Sequence, residues 1–221
     1  MDQNTGFEEV LEAQEKKHKK FIKYDFEALV VICVFIIVMI IVNFTLKSGY
    51  KNIGKLKPTL APAVIECNKS ILNVAETYRK NSTDLQGRSS VDGAKMSFDT
   101  VIAFYGKTIT KGTEEGVIIR VLDSCYMVAY RFRSVLVSQK GLNEAEVSSA
   151  MIQGMDADIR HLKEKSDSLV AAVDSYNSSG LLLKLSWLTP YPGTIEYTHT
   201  ILPDLQPVPA VVPAADVSVK K

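Results

Sequence analysis

From Ala28 to Leu46 the chain runs almost without a polar side chain, Asn43 and Thr45 being the exceptions. No other feature constrains the fold as much. At about 1.5 Å of rise per residue, a helix of this length covers roughly the 30 Å hydrocarbon core of a bilayer. In hydrocarbon every backbone amide and carbonyl must find its partner within the segment, so the run is predicted to be helical. Around Val30–Val42 large and β-branched side chains point in every direction with no polar stripe, unlike the amphipathic helix of a soluble core. A secretory signal peptide is the competing reading, but the charged leader is long and no small-residue cleavage site follows Leu46.

No second span is predicted. Val117–Val137 is apolar but carries Arg120, Asp123, Arg131 and Arg133, which are costly in lipid, and Leu181–Leu188 is too short. The 221 residues therefore divide into a polar leader over 1–25, a transmembrane helix over 26–46, a helical domain over 47–188 and a proline-rich extended tail over 189–221. Lys16, Lys17, Lys19, Lys20 and Lys23 precede the span, whereas Lys47, Lys51, Lys55 and Lys57 follow it. This small excess favours a cytoplasmic N-terminus. In the leader, Phe7, Val10, Leu11, Phe21 and Ile22 lie near one helical face, which suits either an amphipathic helix or a solvated tail.

A net charge of +1, with lysines concentrated only beside the span, argues against nucleic acid and for anionic lipid head groups as the electrostatic partner. Of the three cysteines, Cys33 lies in the apolar run. Cys67 and Cys125 would pair in an oxidising compartment or otherwise remain buried thiols; the sequence leaves both open.

Beyond the span the apolar residues recur at helical spacing and the fold class is all-α, an elongated antiparallel bundle of about four helices. A first helix is predicted from Pro58 or Pro62 to Arg79, the prolines marking its start or a kink. The polar stretch Asn81–Gly93 ends it. A second runs from Lys95 to about Thr110 and stops at Lys111-Gly112; a third is capped by Thr113 and runs to about Gln139. The fourth opens at Asn143 with Glu146 as a capping box, and its seam Met155, Ile159, Leu162, Ser166, Leu169, Val173 and Tyr176 is expected to be core. The apolar patch Leu181–Trp187 would close the bundle end or lie on a membrane surface, and beyond about Pro203 a mobile arm is expected.

Few residues invite chemistry. His18, His161 and His199 are scattered, and neither a C-x-x-C pair nor a glycine-rich phosphate loop occurs. Asp156, Asp158, Glu164 and Asp167 alternate with Arg160, Lys163 and Lys165, and read as a solvated, salt-bridged helix face. No catalytic, cofactor-binding or metal-ligating set is expected.

Three segments resemble the LemA family of membrane-anchored bacterial proteins. Tyr50–Leu56 (YKNIGKL) is similar to the family's Y-N-x-L-V-x-L, Ile71–Thr77 (ILNVAET) to I-P-N-L-V-E-T, and Ala171–Asn177 (AAVDSYN) to x-A-V-x-x-Y-N. Leu72 stands where the motif has proline, the preceding R-R-x-D-L is missing, and no E-x-Y-P-D-L occurs around Asp123–Phe132, departures that suggest a divergent branch. The resemblance implies one N-terminal span and a long helical bundle, and it admits a role in magnetosome-membrane biogenesis. The matching residues Asn73, Glu76, Tyr176 and Asn177 are expected to be structural, fixing helix register and closing the fourth helix. The function so implied is a non-enzymatic scaffold or assembly factor in bacterial membrane organisation. Its partners would be the lipid bilayer and other membrane proteins, with self-association open. The alternative is a sensory or signalling input module working through a partner protein.

Overall fold

The computed structural model describes residues 5–109, 113–139 and 142–207, with the backbone alone at 5–13 and 18–25. Every regular element among them is helical, as the apolar spacing requires: α1 (Thr5–Asn81), α2 (Leu85–Thr108), α3 (Glu115–Val137), α4 (Ser149–Asn177) and a 3-10 helix, η1 (Gly180–Leu188). Two compact units form. One combines the chain up to Ser48 with Gly180–Gly193; the other combines Gly49–Ser179 with the chain from Thr194 onward.

In the first unit, α1 exposes Phe26, Leu29–Ile32, Val34–Val38, Ile40, Ile41 and Phe44 around its whole circumference, while Val42 and Leu46 are buried. From Phe26 the helix is long and apolar enough to cross a membrane. The backbone is already helical from Thr5, but the leader side chains Phe7, Val10, Leu11, Phe21 and Ile22 lie outside the described ones. The apolar patch after α4 forms η1 and belongs to this unit; it buries Leu183 and exposes Leu181 and Trp187.

The second unit is the bundle, and its topology follows from contacts between helices. Gly49 lies beneath Tyr176, Ser70 donates to Asp158, and the Asn81 side chain reaches the Glu146 carbonyl at 3.1 Å, so α1 and α4 run antiparallel. Gly87 abuts Tyr78 and Gln139, and Asp123 and Arg133 meet Ser166 and Asp156, giving an up-down-up-down order. The core is continuous along Ile53, Leu60, Val64, Cys67, Ile71, Val74 and Tyr78 of α1, with Phe98 of α2, Leu122, Cys125 and Phe132 of α3, and Ile159, Leu162 and Val173 of α4. Cys67 and Cys125 are free and buried, and burial pushes the Cys125 thiol up to about 12, so both behave as small apolar side chains.

Several boundaries differ from those the sequence suggests. The span and the first bundle helix are one helix, with Pro58 and Pro62 inside it. An interior proline costs about 3 kcal/mol. Both rings lie on the exposed side, and the buried residues from Ile53 to Tyr78, at about 1.5–3 kcal/mol each, outweigh that cost. Helix α2 begins ten residues before Lys95 because Asp84 caps it, accepting from the Gln86 amide at 3.0 Å, and because Gly87 and Val91 are buried among otherwise polar neighbours. At α3 the N-cap is Glu114 without a side-chain bond, and Thr113 instead donates to the Thr108 carbonyl at 2.9 Å. The Asn143–Glu146 box forms, but it closes a separate turn, and Ser148 caps α4 by accepting from the Met151 amide. The Lys111-Gly112 stop lies outside the described residues.

Candidate functional site

The tail does not leave the bundle at Pro203. Thr194–Gln206 runs extended along α3 and α4, burying Ile195 and Leu202. Side chains from the helices satisfy its backbone at intervals. At the start, Asn177 Nδ2 donates to the Ile195 carbonyl and Asn177 Oδ1 accepts from the Ile195 amide, both at 2.9 Å. Further along, Tyr126 donates to the Pro203 carbonyl and Arg133 to that of Gln206. Gly116 lets the chain pass over α3: a Cβ there would lie 2.2 Å from the Glu196 carbonyl oxygen. Tyr197 donates to Asp174, a bond that carries its phenol up to about 12.

The middle of this strap is held by a cluster with the residue types of a hydrolytic site. Asp123, buried in α3, accepts from Ser166 Oγ at 2.8 Å and from the Thr200 amide at 2.9 Å. It faces His199 Nδ1 at 3.0 and 3.1 Å. A carboxylate only accepts, so Nδ1 is the protonated nitrogen. His199 Nε2 points toward Asp167 at 3.9 Å, and Lys163 bridges Asp167 at 3.1 Å and Asp204 at 3.4 Å. These bonds, that to Asp167 foremost, raise the Lys163 ammonium against a smaller desolvation effect.

The connectivity is not that of a nucleophile relay. In such a relay the hydroxyl gives its proton to the imidazole and the carboxylate orients the ring. Here Ser166 is fully buried and donates its proton to the Asp123 carboxylate rather than to the His199 ring. What the arrangement does chemically is saturate a buried carboxylate with donors, one of its four contacts coming from Ser166 of the neighbouring helix and three from the strap, by the Thr200 amide and the His199 ring.

A second buried pair repeats the design. Arg133 meets Asp156 in a bidentate bridge, Nε–Oδ1 3.1 Å and Nη2–Oδ2 3.0 Å, with 4% and 7% of the side chains exposed. Asp156 thus leaves the solvated acidic face expected from sequence, and Asp158 leaves it as well by accepting from Ser70 of α1. Only Glu164, beside His161 at 3.7 Å, and Asp167 stay on that face. A third cluster joins Tyr50 and Lys57 of α1 to Glu115 of α3 at 2.7 and 2.6 Å. Burial pushes the Glu115 carboxyl upward, but the bonds from Lys57 and then Tyr50 outweigh it and hold the group below its ordinary value.

The motif residues separate into two kinds. Asn73 and Glu76 lie on the exposed face of α1 rather than against neighbouring helices. Tyr176 is fully buried, edge-on to Tyr50 with ring centroids 5.7 Å apart. Asn177 clamps the returning chain, and Ser178 provides the C-cap it was expected to supply. Sequence reasoning passed over Asp123, Arg133 and His199. The available signal was the charges within an apolar stretch, Arg120, Asp123, Arg131 and Arg133, since any of them that falls on the buried side, as Asp123 and Arg133 do, demands a buried partner.

Beside the strap lies an open cleft of about 530 Å³ between α2 and α3, lined by Val101, Arg120, Asp123, Met127, Val128 and Thr200 among others. Among the described residues no group of three His, Cys, Asp or Glu side chains converges as a metal site. No family model, curated protein or solved structure matches the chain.

Proposed function

We propose that this protein is a membrane-anchored helical-bundle scaffold or assembly factor in bacterial membrane organisation, held by one span and cytoplasmic at its N-terminus. The observation that supports the reading is the circumferential exposure of isoleucine, valine and phenylalanine from Phe26 to Ile41, a surface that water penalises on every side and hydrocarbon does not. The lysines flanking the run suit anionic head groups. The three LemA-like segments agree with an anchored bundle, and Asp123, Ser166 and His199 are bonded as a clamp rather than a reaction centre.

Alkaline extraction of native membranes tests the anchor: the chain stays with the lipid pellet, and its release into the supernatant overturns the reading. Labelling of a Thr5→Cys variant by an impermeant maleimide added to intact cells would overturn the orientation. Proximity labelling from the bundle side tests the role. A set of membrane-assembly proteins is expected; recovery of a kinase or other output protein would favour the sensory alternative instead.

A further inference from the structure

A 3-10 helix repeats every three residues, so the sequence GLLLKLSWL of η1 sorts into three ridges. On the first, Leu183 is buried and Ser186 lies against Gly193. Leu182, Leu185 and Leu188 make a second, half-buried ridge. Leu181, Lys184 and Trp187 make the third, which faces outward, and its leucine and indole are each 73% exposed. Two large apolar side chains flanking one ammonium suit an interface better than water. Indole combines an apolar body with a single N–H donor, and lysine can lay its stem on apolar surface while its head stays wet.

What covers the ridge follows from where η1 packs. In the same compact unit α1 is exposed all round from Phe26 to Ile41, whereas Val42 and Leu46, one turn apart on one stripe, are fully buried. Gly180–Gly193 is the segment that joins α1 in this unit, so η1 lies at the level of that stripe. Leu46 is the last residue of the apolar run, and Lys47 is the first charge after it. In a bilayer this level is the boundary between hydrocarbon and head groups, the depth at which tryptophan collects and lysine meets lipid phosphate.

We propose that η1 is an interfacial anchor: Leu181 and Trp187 seat in the outer acyl layer of the bilayer that α1 crosses, and Lys184 meets the phosphates of anionic lipids there. The inference rests on the reading of α1 as a span. It adds a second lipid contact on the side of the membrane where Lys47 emerges, and every group it uses lies within one unit.

Trp187 is the only tryptophan of the chain, so its fluorescence reports this ridge without any substitution. The full-length protein is reconstituted into vesicles of phosphatidylcholine and phosphatidylglycerol whose acyl chains carry bromine either close to the glycerol or close to the chain end. The expected result is a loss of Trp187 emission that is greater with the shallow bromines, together with poor quenching by acrylamide in the water. Leu181→Asp should weaken the bromine quenching and strengthen that by acrylamide. A Trp187 open to acrylamide and untouched by bromine overturns the proposal. So does an indole shielded from both, which would put protein, a second copy included, over the ridge. Quenching that is greatest with the deep bromines, or that Leu181→Asp leaves unchanged, overturns it as well. A chain carrying Trp187→Phe and Ile36→Trp separates this failure from failure of the span, since its tryptophan is quenched most by the deep bromines if α1 crosses the bilayer. That pattern beside an unquenched Trp187 removes the interfacial anchor and leaves the span; no bromine quenching of the introduced tryptophan removes both.

Discussion

Asp123, Gly116 and Glu115 show at single positions how this bundle uses polar groups: each is placed where another segment must pass or dock. Gly116 is the sharpest case because the obstacle to a Cβ is the Glu196 main chain, which cannot rotate aside as a side chain could. Gly116→Ala should lift the strap and cost about 1–3 kcal/mol by overpacking, read as a lowered urea midpoint in detergent together with faster proteolysis near Glu196. An unchanged cleavage rate would show that the strap does not lie there. Glu115 gives a pH signature. Its folded-state value is depressed, so its contribution is fully present above the unfolded carboxyl value of about 4.3 and is lost as pH falls through the folded one. Glu115→Gln should therefore lower stability at pH 7, by about 1–3 kcal/mol, and the difference from the parent chain should shrink as pH falls below the ordinary carboxyl range. Curves that stay parallel until the parent chain unfolds in acid would refute the assignment. Burying Arg133 with Asp156 follows the same logic, since each is tolerable only in the other's presence.

Among the elements, α1 departs furthest from what its local sequence suggests. Proline at 58 and 62 argues for a helix start, and local propensity has no way to weigh the buried side chains on the opposite face. Because both rings are exposed, Pro58→Ala or Pro62→Ala should restore a backbone bond without disturbing the core, raising stability by up to about 3 kcal/mol. A drop in thermal midpoint for either variant would mean that the proline is needed for a bend. The same blindness hid the start of α2, where Asp84 and Gly87 read as loop residues although one caps the helix and the other lets it approach Tyr78. Helices α3 and α4, by contrast, were legible almost to the residue along their cores. Their seams repeat over many turns, and only the caps shifted.

On the scale of the molecule, the apolar length of α1 from Phe26 is the feature that could span a membrane. The exposed apolar face of α1 is predicted to partition into bilayer, and Ile36→Lys, worth about 2.5–3.5 kcal/mol at the centre of a span, should shift the chain measurably toward the alkaline supernatant. Equal extraction of variant and parent would count against a span through Ile36. What the sequence determined by itself is the all-α class, the apolar run and the core faces of α3 and α4, because periodicity and burial of apolar side chains are local, repeated and additive. The tertiary structure alone decided that Asp123, Ser166 and His199 meet, that Arg133 finds Asp156, and that the strap returns to the bundle. These are single contacts between residues as much as 77 positions apart, and nothing in a one-dimensional pattern records which buried donor will reach which acceptor.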